Sequence, residues 1–135
     1  MEGNEIKLVN LLEIDLENIE KDNSFPAAYA FYLLLDRTPD PKWVEFFNAE
    51  FEGDPYVMKR TVTVKGNRLR VVTADSDDLQ GHVDFVKRMV NEANRRAAEY
   101  NQKLSWERRR EELRLEEERR TVEELRRRLL KVRLD

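Results

Sequence analysis

The chain has 135 residues, with 25 Lys and Arg, 28 Asp and Glu, one His and no Cys, and its formal net charge is −3. This length indicates one domain with at most an extension, and the nearly balanced charge excludes a strongly basic nucleic-acid binder as the explanation of the whole chain. The lack of cysteine excludes disulfides, thiolate catalysis and cysteine-ligated zinc.

The N-terminal sequence has no basic stretch followed by a long apolar one, and no window approaches the roughly 20 apolar residues of a membrane span. We therefore expect a soluble, cytoplasmic protein with no membrane partner.

Charge and composition change after Leu104. Residues 105–135 contain 11 Lys and Arg, ten of them Arg, against 9 Asp and Glu. The first 104 residues contain 14 basic and 19 acidic residues, so their net charge is −5 while that of the last 31 is +2. This shift predicts an α+β head over residues 1–104 and an Arg/Glu-rich helical tail over residues 105–135.

Apolar residues at even positions near the N-terminus predict a strand with one buried face. They are Ile6, Leu8, Leu12, Ile14 and Leu16. A helix that also uses Ile19 is the open alternative for this segment. After the turn-forming stretch KDNSFP, residues Ala28–Leu35 are apolar throughout, which is typical of a central strand.

A helix start follows, with Asp40 as N-cap and Pro41 at the first helical position. Gly53 marks its end. Aromatic residues at helical spacing predict a stripe that packs on the sheet: Trp43, Phe46, Phe47 and Phe51. With the aromatic residues of the second strand, they indicate a hydrophobic core rather than a ligand pocket.

Two further strands, over residues 56–64 and 68–74, are predicted to form a hairpin through Lys65-Gly66-Asn67. A second helix begins after an acidic run. The order ββαββα predicts an α+β fold, in which a four-stranded antiparallel sheet carries helices on one face and ends in a long charged C-terminal helix. No Gly or Pro follows Gly81, so the second helix can continue into the tail. A tail that turns back near Ser105 is the open alternative.

The tail alternates acids and bases at a spacing of four, which stabilises an isolated helix by about 0.2–0.5 kcal/mol per pair. The predicted pairs are Arg108–Glu112, Glu116–Arg120, Glu123–Arg127 and Glu124–Arg128. A heptad seam predicts a contact with a partner helix, and Glu118 occupies its one polar position. The seam comprises Leu115, Val122, Leu125, Leu129 and Val132.

His82 is the only histidine, and we expect it on the surface of the second helix, near Asp78. No nucleophile motif accompanies it. The acids Asp75, Asp77 and Asp78 are expected to cap the helix, because the run lacks the alternating acids, central glycine and terminal glutamate of a calcium loop.

Basic residues of the hairpin form the alternative site, a patch on the open sheet face that would bind phosphates of a nucleic acid. The candidate contacts are Lys59, Lys65, Arg68 and Arg70. A solvated sheet face is the competing interpretation. The arginine triplets at 108–110 and 126–128 are similarly expected to form a solvated ion-pair face, since glutamates flank both.

The segments LLLDRTPDPKWVEFFNAEF, MKRTVTVKGNRLRVV and VKRMVNEANRRAAEY resemble a group of small bacterial ββαββα proteins over about residues 5–103. Their shared feature is a helix with a proline, a tryptophan and phenylalanines, here Pro41, Trp43, Phe46 and Phe47. The resemblance implies the fold, and it implies no activity and no functional residue.

These patterns together predict a non-enzymatic protein without a cofactor or bound metal. Its function would be protein interaction or oligomerisation, with a second copy or another protein bound through the C-terminal helix. The alternative is a nucleic-acid-associated accessory protein that binds phosphates through the hairpin or the tail arginines.

Overall fold

The computed structural model describes residues 4–56 and 59–135, which form four strands and two helices. In chain order these are β1 (Leu11–Lys21), β2 (Ala28–Leu35), α1 (Pro41–Gly53), β3 (Val62–Lys65), β4 (Arg68–Ala74) and α2 (Leu79–Leu129). The strands pair antiparallel in the order β1-β2-β4-β3. The predicted α+β fold, with a four-stranded antiparallel sheet and a long C-terminal helix, is confirmed.

The hydrophobic core lies between one face of the sheet and both helices. Trp43 and Phe47 of α1 are fully buried, with ring centroids 5.4 Å apart. Alternate residues of β2 and β4 supply the sheet side of the core: Phe31, Leu33, Leu35, Leu69 and Val71. The predicted aromatic stripe of α1 is therefore confirmed, and β2, which lies between β1 and β4, is a central strand as predicted.

The prediction that even-numbered residues of the first strand form its buried face is wrong. β1 begins at Leu11, and Leu8, Leu12, Ile14 and Leu16 are exposed. Only Ile6 of the predicted set is buried, together with Val9. Residues 4–10 form no strand, and two register shifts within β1, an edge strand, break the alternation of the residues that follow.

The segment before β1 is instead fixed by side chains of α2. Asn101 accepts a hydrogen bond from the Ile6 N–H at 2.7 Å and donates one to the Ile6 carbonyl at 2.8 Å. Asn94 does the same for Val9, at 3.0 and 2.7 Å. Two amide side chains thus take the place that a neighbouring strand would have, and they bury Ile6 and Val9 against the helix.

Two details of the local predictions are also corrected. Asp40 lies at the N-cap position of α1, but its carboxylate accepts a hydrogen bond from the Lys7 N–H at 3.0 Å and caps no N–H of the helix. β3 begins at Val62 rather than at residue 56. Residues 59–61 precede the strand, and residues 57 and 58 lie outside the described part of the chain.

The hairpin and the start of α2 follow the predictions more closely. Gly66 has φ +60°, which suits the first position of a two-residue turn between β3 and β4. Asp78 caps α2 by accepting a hydrogen bond from the Gly81 N–H at 3.1 Å. The helix then runs without interruption for 51 residues, so the tail continues α2 rather than turning back.

Candidate interaction surfaces

The tail is an exposed single helix that the rest of the described chain does not cover. Every residue from 105 to 135 is exposed. Leu115 of the seam is 44% exposed and Leu113, on the opposite side of the helix, is 48% exposed, so the head shields neither face. From residue 104 to the end of α2 the helix extends about 37 Å, at 1.5 Å per residue.

The seam lies along one side of this helix as predicted for its first four residues. Leu115, Val122, Leu125 and Leu129 are all between 44% and 66% exposed. Val132 lies beyond Leu129, where α2 ends, and is therefore outside the helical part of the seam. Apolar side chains in this number on an isolated helix indicate a surface that becomes buried on binding.

Arginines border the seam on both sides. In the heptad that places Leu115, Val122 and Leu129 at position a, the flanking e and g positions from 114 to 128 contain four arginines, one threonine and no acid. The arginines are Arg114, Arg119, Arg126 and Arg128. The glutamates at 116, 117, 123 and 124 stand at positions b and c, away from the seam. The local surface is thus an apolar stripe with arginine borders, in which Arg114 is ion-paired with Glu111 and Glu118, and Arg126 with Glu123.

The ion pairs of the tail only partly match the predicted set. Glu116 and Arg120 pair at 3.0 Å as predicted, but Glu123 pairs with Arg126 and Glu124 with Arg127. Both of these pairs have a spacing of three, which is possible because residues three apart, like residues four apart, are neighbours on a helix. The residues described contain no ion pair between Arg108 and Glu112, nor any involving Arg119 or Arg128.

A second unpartnered apolar surface lies on β1, which is an edge strand of the sheet. We define the edge surface by four exposed residues: Leu12 (63%), Ile14 (45%), Leu16 (77%) and Ile19 (60%). Acids stand between them at positions 13, 15 and 17, and Glu20 follows Ile19. The alternation in the sequence marks Leu12, Ile14 and Leu16 but predicts them on a buried face, and Ile19 belongs only to the alternative helical pattern.

The predicted phosphate contacts do not form one patch. Lys65, Arg68 and Arg70 share the open face, as the pairing of Lys65 with Arg68 and of Arg70 with Tyr32 shows. Lys59 lies elsewhere. Its ammonium group donates hydrogen bonds to the carbonyls of Phe51, at 2.7 Å, and Asp54, at 2.9 Å, and so binds the C-terminal end of α1.

The arginines of this open face are already engaged. Arg70 forms ion pairs with Glu20 and Asp22, each at 2.9 Å, and its side chain is only 17% exposed. Arg68 stacks on the Tyr32 ring at 4.1 Å from its centroid. Hydrogen bonds from Ser24, and then from Arg70, lower the pKa of Asp22 to about 2. The open face therefore presents a neutralised ion-pair network with a covered aromatic ring.

His82 is buried, at 4% exposure, so the prediction that it lies on the helix surface is wrong. Its Nε2 is 2.8 Å from Asp77 Oδ2, and its Nδ1 is 3.4 Å from the Tyr56 hydroxyl. Asp77, rather than the neighbouring Asp78, is thus its carboxylate partner. Because a carboxylate only accepts, the Nε2 of His82 carries the proton of this hydrogen bond.

Asp77 connects three parts of the head. Arg60 donates two hydrogen bonds to it, at 2.6 and 2.9 Å, and the Ala74 N–H donates a third at 3.1 Å. The Arg60 guanidinium, with smaller help from His82, holds the pKa of Asp77 well below its usual range. Burial, and then the charges of Asp78 and Asp77, raise the pKa of Tyr56. No buried polar side-chain atom of this cluster lacks a hydrogen-bond partner, which is typical of a structural connection.

Residues 4–56 and 59–135 contain no group of three or more His, Asp or Glu side chains placed to hold a metal ion. No helix in this part of the chain combines the length and apolar character needed to cross a membrane. The acids 77 and 78 have the capping and ion-pair roles described above.

Comparison with protein-family models, with curated proteins and with solved structures finds no match to the chain. The resemblance to small bacterial ββαββα proteins therefore stays a prediction.

Proposed function

We propose that this protein is a non-enzymatic protein-interaction module whose C-terminal helix provides the binding surface. One observation supports the proposal above the others. A helix that extends about 37 Å beyond the head exposes a straight row of aliphatic side chains, and nothing in the described chain covers them. Burying each Leu of the row would contribute about 1.5–3 kcal/mol to binding, before the cost of association.

The positive charge of the residues beside the seam indicates the kind of surface that it binds. Arg119 and Arg126 stand on one side and Arg114 and Arg128 on the other, so the complementary surface is an apolar stripe bordered by carboxylates. A coiled coil between two tails fits less well, because in a parallel pair position g of one helix faces position e of the next heptad in the other. That geometry would bring Arg114 close to Arg119, with no acid at any e or g position to separate the charges.

The alternative, a nucleic-acid accessory protein, stays a prediction without support from side-chain positions. Lys59 is bound to the end of α1, and the charge of Arg70 is matched by two carboxylates. The tail arginines are interspersed with glutamates, whereas a DNA-binding basic helix would lack them.

A photo-crosslinking side chain distinguishes the two faces of the tail. A benzophenone amino acid at position 125 reports on the seam, and the same group at position 113 is the matched control on the opposite face. We expect the purified chain, or the chain in an extract of its source cells, to give a discrete protein adduct from position 125 and little from position 113. Equal yields from both positions, or none from 125, would contradict the proposed function.

A further inference from the structure

We infer that the tail of one copy docks on the β1 edge surface of a second copy, so that two chains form a reciprocal dimer. The inference rests on the proposed function of the tail and names its partner. It joins the two apolar surfaces that the described chain leaves uncovered, the seam on α2 and the edge surface on β1.

The charges of the two surfaces are complementary. Only arginines among the charged residues border the seam, and Arg119 and Arg128 have no ion pair within the described chain. β1 carries four acids, at positions 13, 15, 17 and 20, and a single base at Lys21, and of these acids Glu20 is already paired with Arg70. Glu13 and Glu17 are exposed beside the edge-surface aliphatics. Docking therefore places arginine borders against carboxylates, while docking of two tails places arginines against arginines.

The edge surface is shorter than the seam. From Leu115 to Leu129 the seam is 14 helical steps long, which is about 21 Å. Asp15 pairs with Tyr32 and Glu20 with Ala30, so Leu12 to Ile19 covers only about four strand steps, or about 13 Å. The edge surface therefore matches about two helical turns of the seam. The unpaired edge of β1 is the kind of surface that proteins cover with a helix or loop.

A tail cannot reach the edge surface of its own chain while α2 is straight. Ile6 binds Asn101 and Val9 binds Asn94, so the N-terminal segment runs antiparallel to α2. β1 follows at the end of that segment that points away from the tail. Leu115 lies about 21 Å beyond Asn101 in the opposite direction, at 1.5 Å per residue. Docking without a break in the helix thus requires a second copy.

Reciprocal docking closes the assembly at two chains. Each copy has one tail and one edge surface, and a two-fold axis between antiparallel α2 helices satisfies both at once. The same residues would then occur twice in the interface, which doubles the effect of each substitution.

Light scattering during size-exclusion chromatography tests this arrangement with four full-length chains. They are the wild type, a seam variant (Leu115→Gln with Leu125→Gln), an edge variant (Leu12→Gln with Leu16→Gln) and the control Leu113→Gln. At micromolar concentrations we expect twice the 16.2 kDa chain mass for the wild type and the control. The seam and edge variants should each dissociate at least about tenfold more readily. An equimolar mixture of the two should recover dimer, because it restores one intact tail and edge pair.

The outcomes separate this inference from the proposed function. A monomeric wild type, or an edge variant that dimerises like the wild type, overturns the inference, and the crosslinking yield from position 125 still decides the proposed function. If both the seam variant and the edge variant keep the dimer mass, the inference is overturned as well. The edge substitutions are at exposed positions, and far-ultraviolet circular dichroism checks that the variant is folded.

A charge exchange gives a second test that does not depend on the apolar substitutions. Glu13→Arg with Glu17→Arg should weaken the dimer, and so should Arg119→Glu with Arg126→Glu. All four substitutions in one chain should restore it, because both borders are reversed together. Failure of the fourfold variant to regain the dimer mass would contradict the docking.

Discussion

Asn94 joins the N-terminal segment, α1 and α2 at one side chain. Its Oδ1 accepts hydrogen bonds from the Val9 N–H at 3.0 Å and from the Trp43 indole N–H at 2.8 Å, and its Nδ2 donates to the Val9 carbonyl at 2.7 Å. Asn101 repeats the backbone part of this pattern at Ile6. Seven residues of helix and three of extended chain both span about 10 Å, so the two asparagines match the segment in spacing.

Removing this side chain should destabilise the head. We expect Asn94→Ala to lower the free energy of unfolding by about 2–3 kcal/mol, because it leaves the Val9 backbone and the Trp43 indole without their partners. Urea unfolding followed by tryptophan fluorescence measures the change. Asn91→Ala is the matched control on an exposed position of the same helix, and its effect should stay within about 0.5 kcal/mol. Equal effects of the two substitutions would contradict the role of Asn94.

Gly66 in the hairpin turn should be required by its backbone conformation, whereas Gly53 at the end of α1 should not be. Gly66 has φ +60°, a conformation in which a Cβ is strained, so Gly66→Ala should cost about 1–2 kcal/mol. Gly53 ends α1 without a positive φ, and a Cβ there would meet no atom within 4 Å. Gly53→Ala should therefore be neutral or slightly stabilising. Thermal unfolding of the two variants gives the comparison, and a neutral Gly66→Ala would be inconsistent with the turn.

Lys59 should act on stability rather than on ligand binding. Its ammonium group donates hydrogen bonds to the carbonyls at the negative end of the α1 dipole. Lys59→Met should therefore lower the free energy of unfolding by about 1 kcal/mol. Lys65→Met, an exposed lysine on the same hairpin, should change it by less than about 0.5 kcal/mol. Chemical denaturation of both variants checks the difference. A larger loss in the Lys65 variant would refute the capping role.

The ion pair between Asp77 and Arg60 should make the head sensitive to acid. Arg60 lowers the pKa of Asp77 below the 3.8 of an unperturbed carboxyl, so the folded chain binds fewer protons than the unfolded one. This stabilisation is complete above about pH 5 and is lost as the pH falls through the unfolded-state pKa of 3.8 toward the lower folded-state pKa. The free energy of unfolding of the wild type, measured with urea, should therefore stay level from neutral pH to about pH 5 and decline from there to about pH 3.

The variant Asp77→Asn isolates this contribution. It should be about 2–3 kcal/mol less stable at neutral pH, because it leaves the buried side of Arg60 without its counter-charge, and its stability should fall less with acid. Asp75→Asn, at an exposed neighbouring position, should follow the wild-type profile. A profile for Asp77→Asn that parallels the wild type would show that this carboxylate is not the acid-sensitive group.

The elements of the head were largely predictable because their signals are local. Asp78 and Gly81 mark the start of α2, Pro41 and Gly53 bound α1, and Gly66 identifies the hairpin. Each signal depends on backbone conformations that only a few residue types favour. The order of elements follows directly from them, and so does the antiparallel sheet with helices on one face.

The environment of single side chains was less predictable because distant residues decide it. The burial of His82 depends on Tyr56 and Asp77, and the position of Lys59 depends on carbonyls at the end of α1. Apolar residues of β1 stand mostly at even positions, but register shifts between Leu11 and Glu13 and between Asp15 and Glu20 break the alternation. Asn94 and Asn101 are seven residues apart, but the sequence does not show that this spacing matches Val9 and Ile6 of the N-terminal segment.

Cysteine trapping tests most directly whether the seam is a binding surface and what it binds. The chain has no cysteine, so Val122→Cys on the seam and Leu16→Cys on β1 introduce the only thiols of their chains. When the two variants are mixed under mild oxidation, we predict a disulfide that joins a Val122→Cys chain to a Leu16→Cys chain. When Leu113→Cys replaces Val122→Cys, we predict a low yield of disulfide. Equal trapping by the seam and the opposite face, or disulfides only between two Val122→Cys chains, would contradict the docking of the tail on the β1 edge.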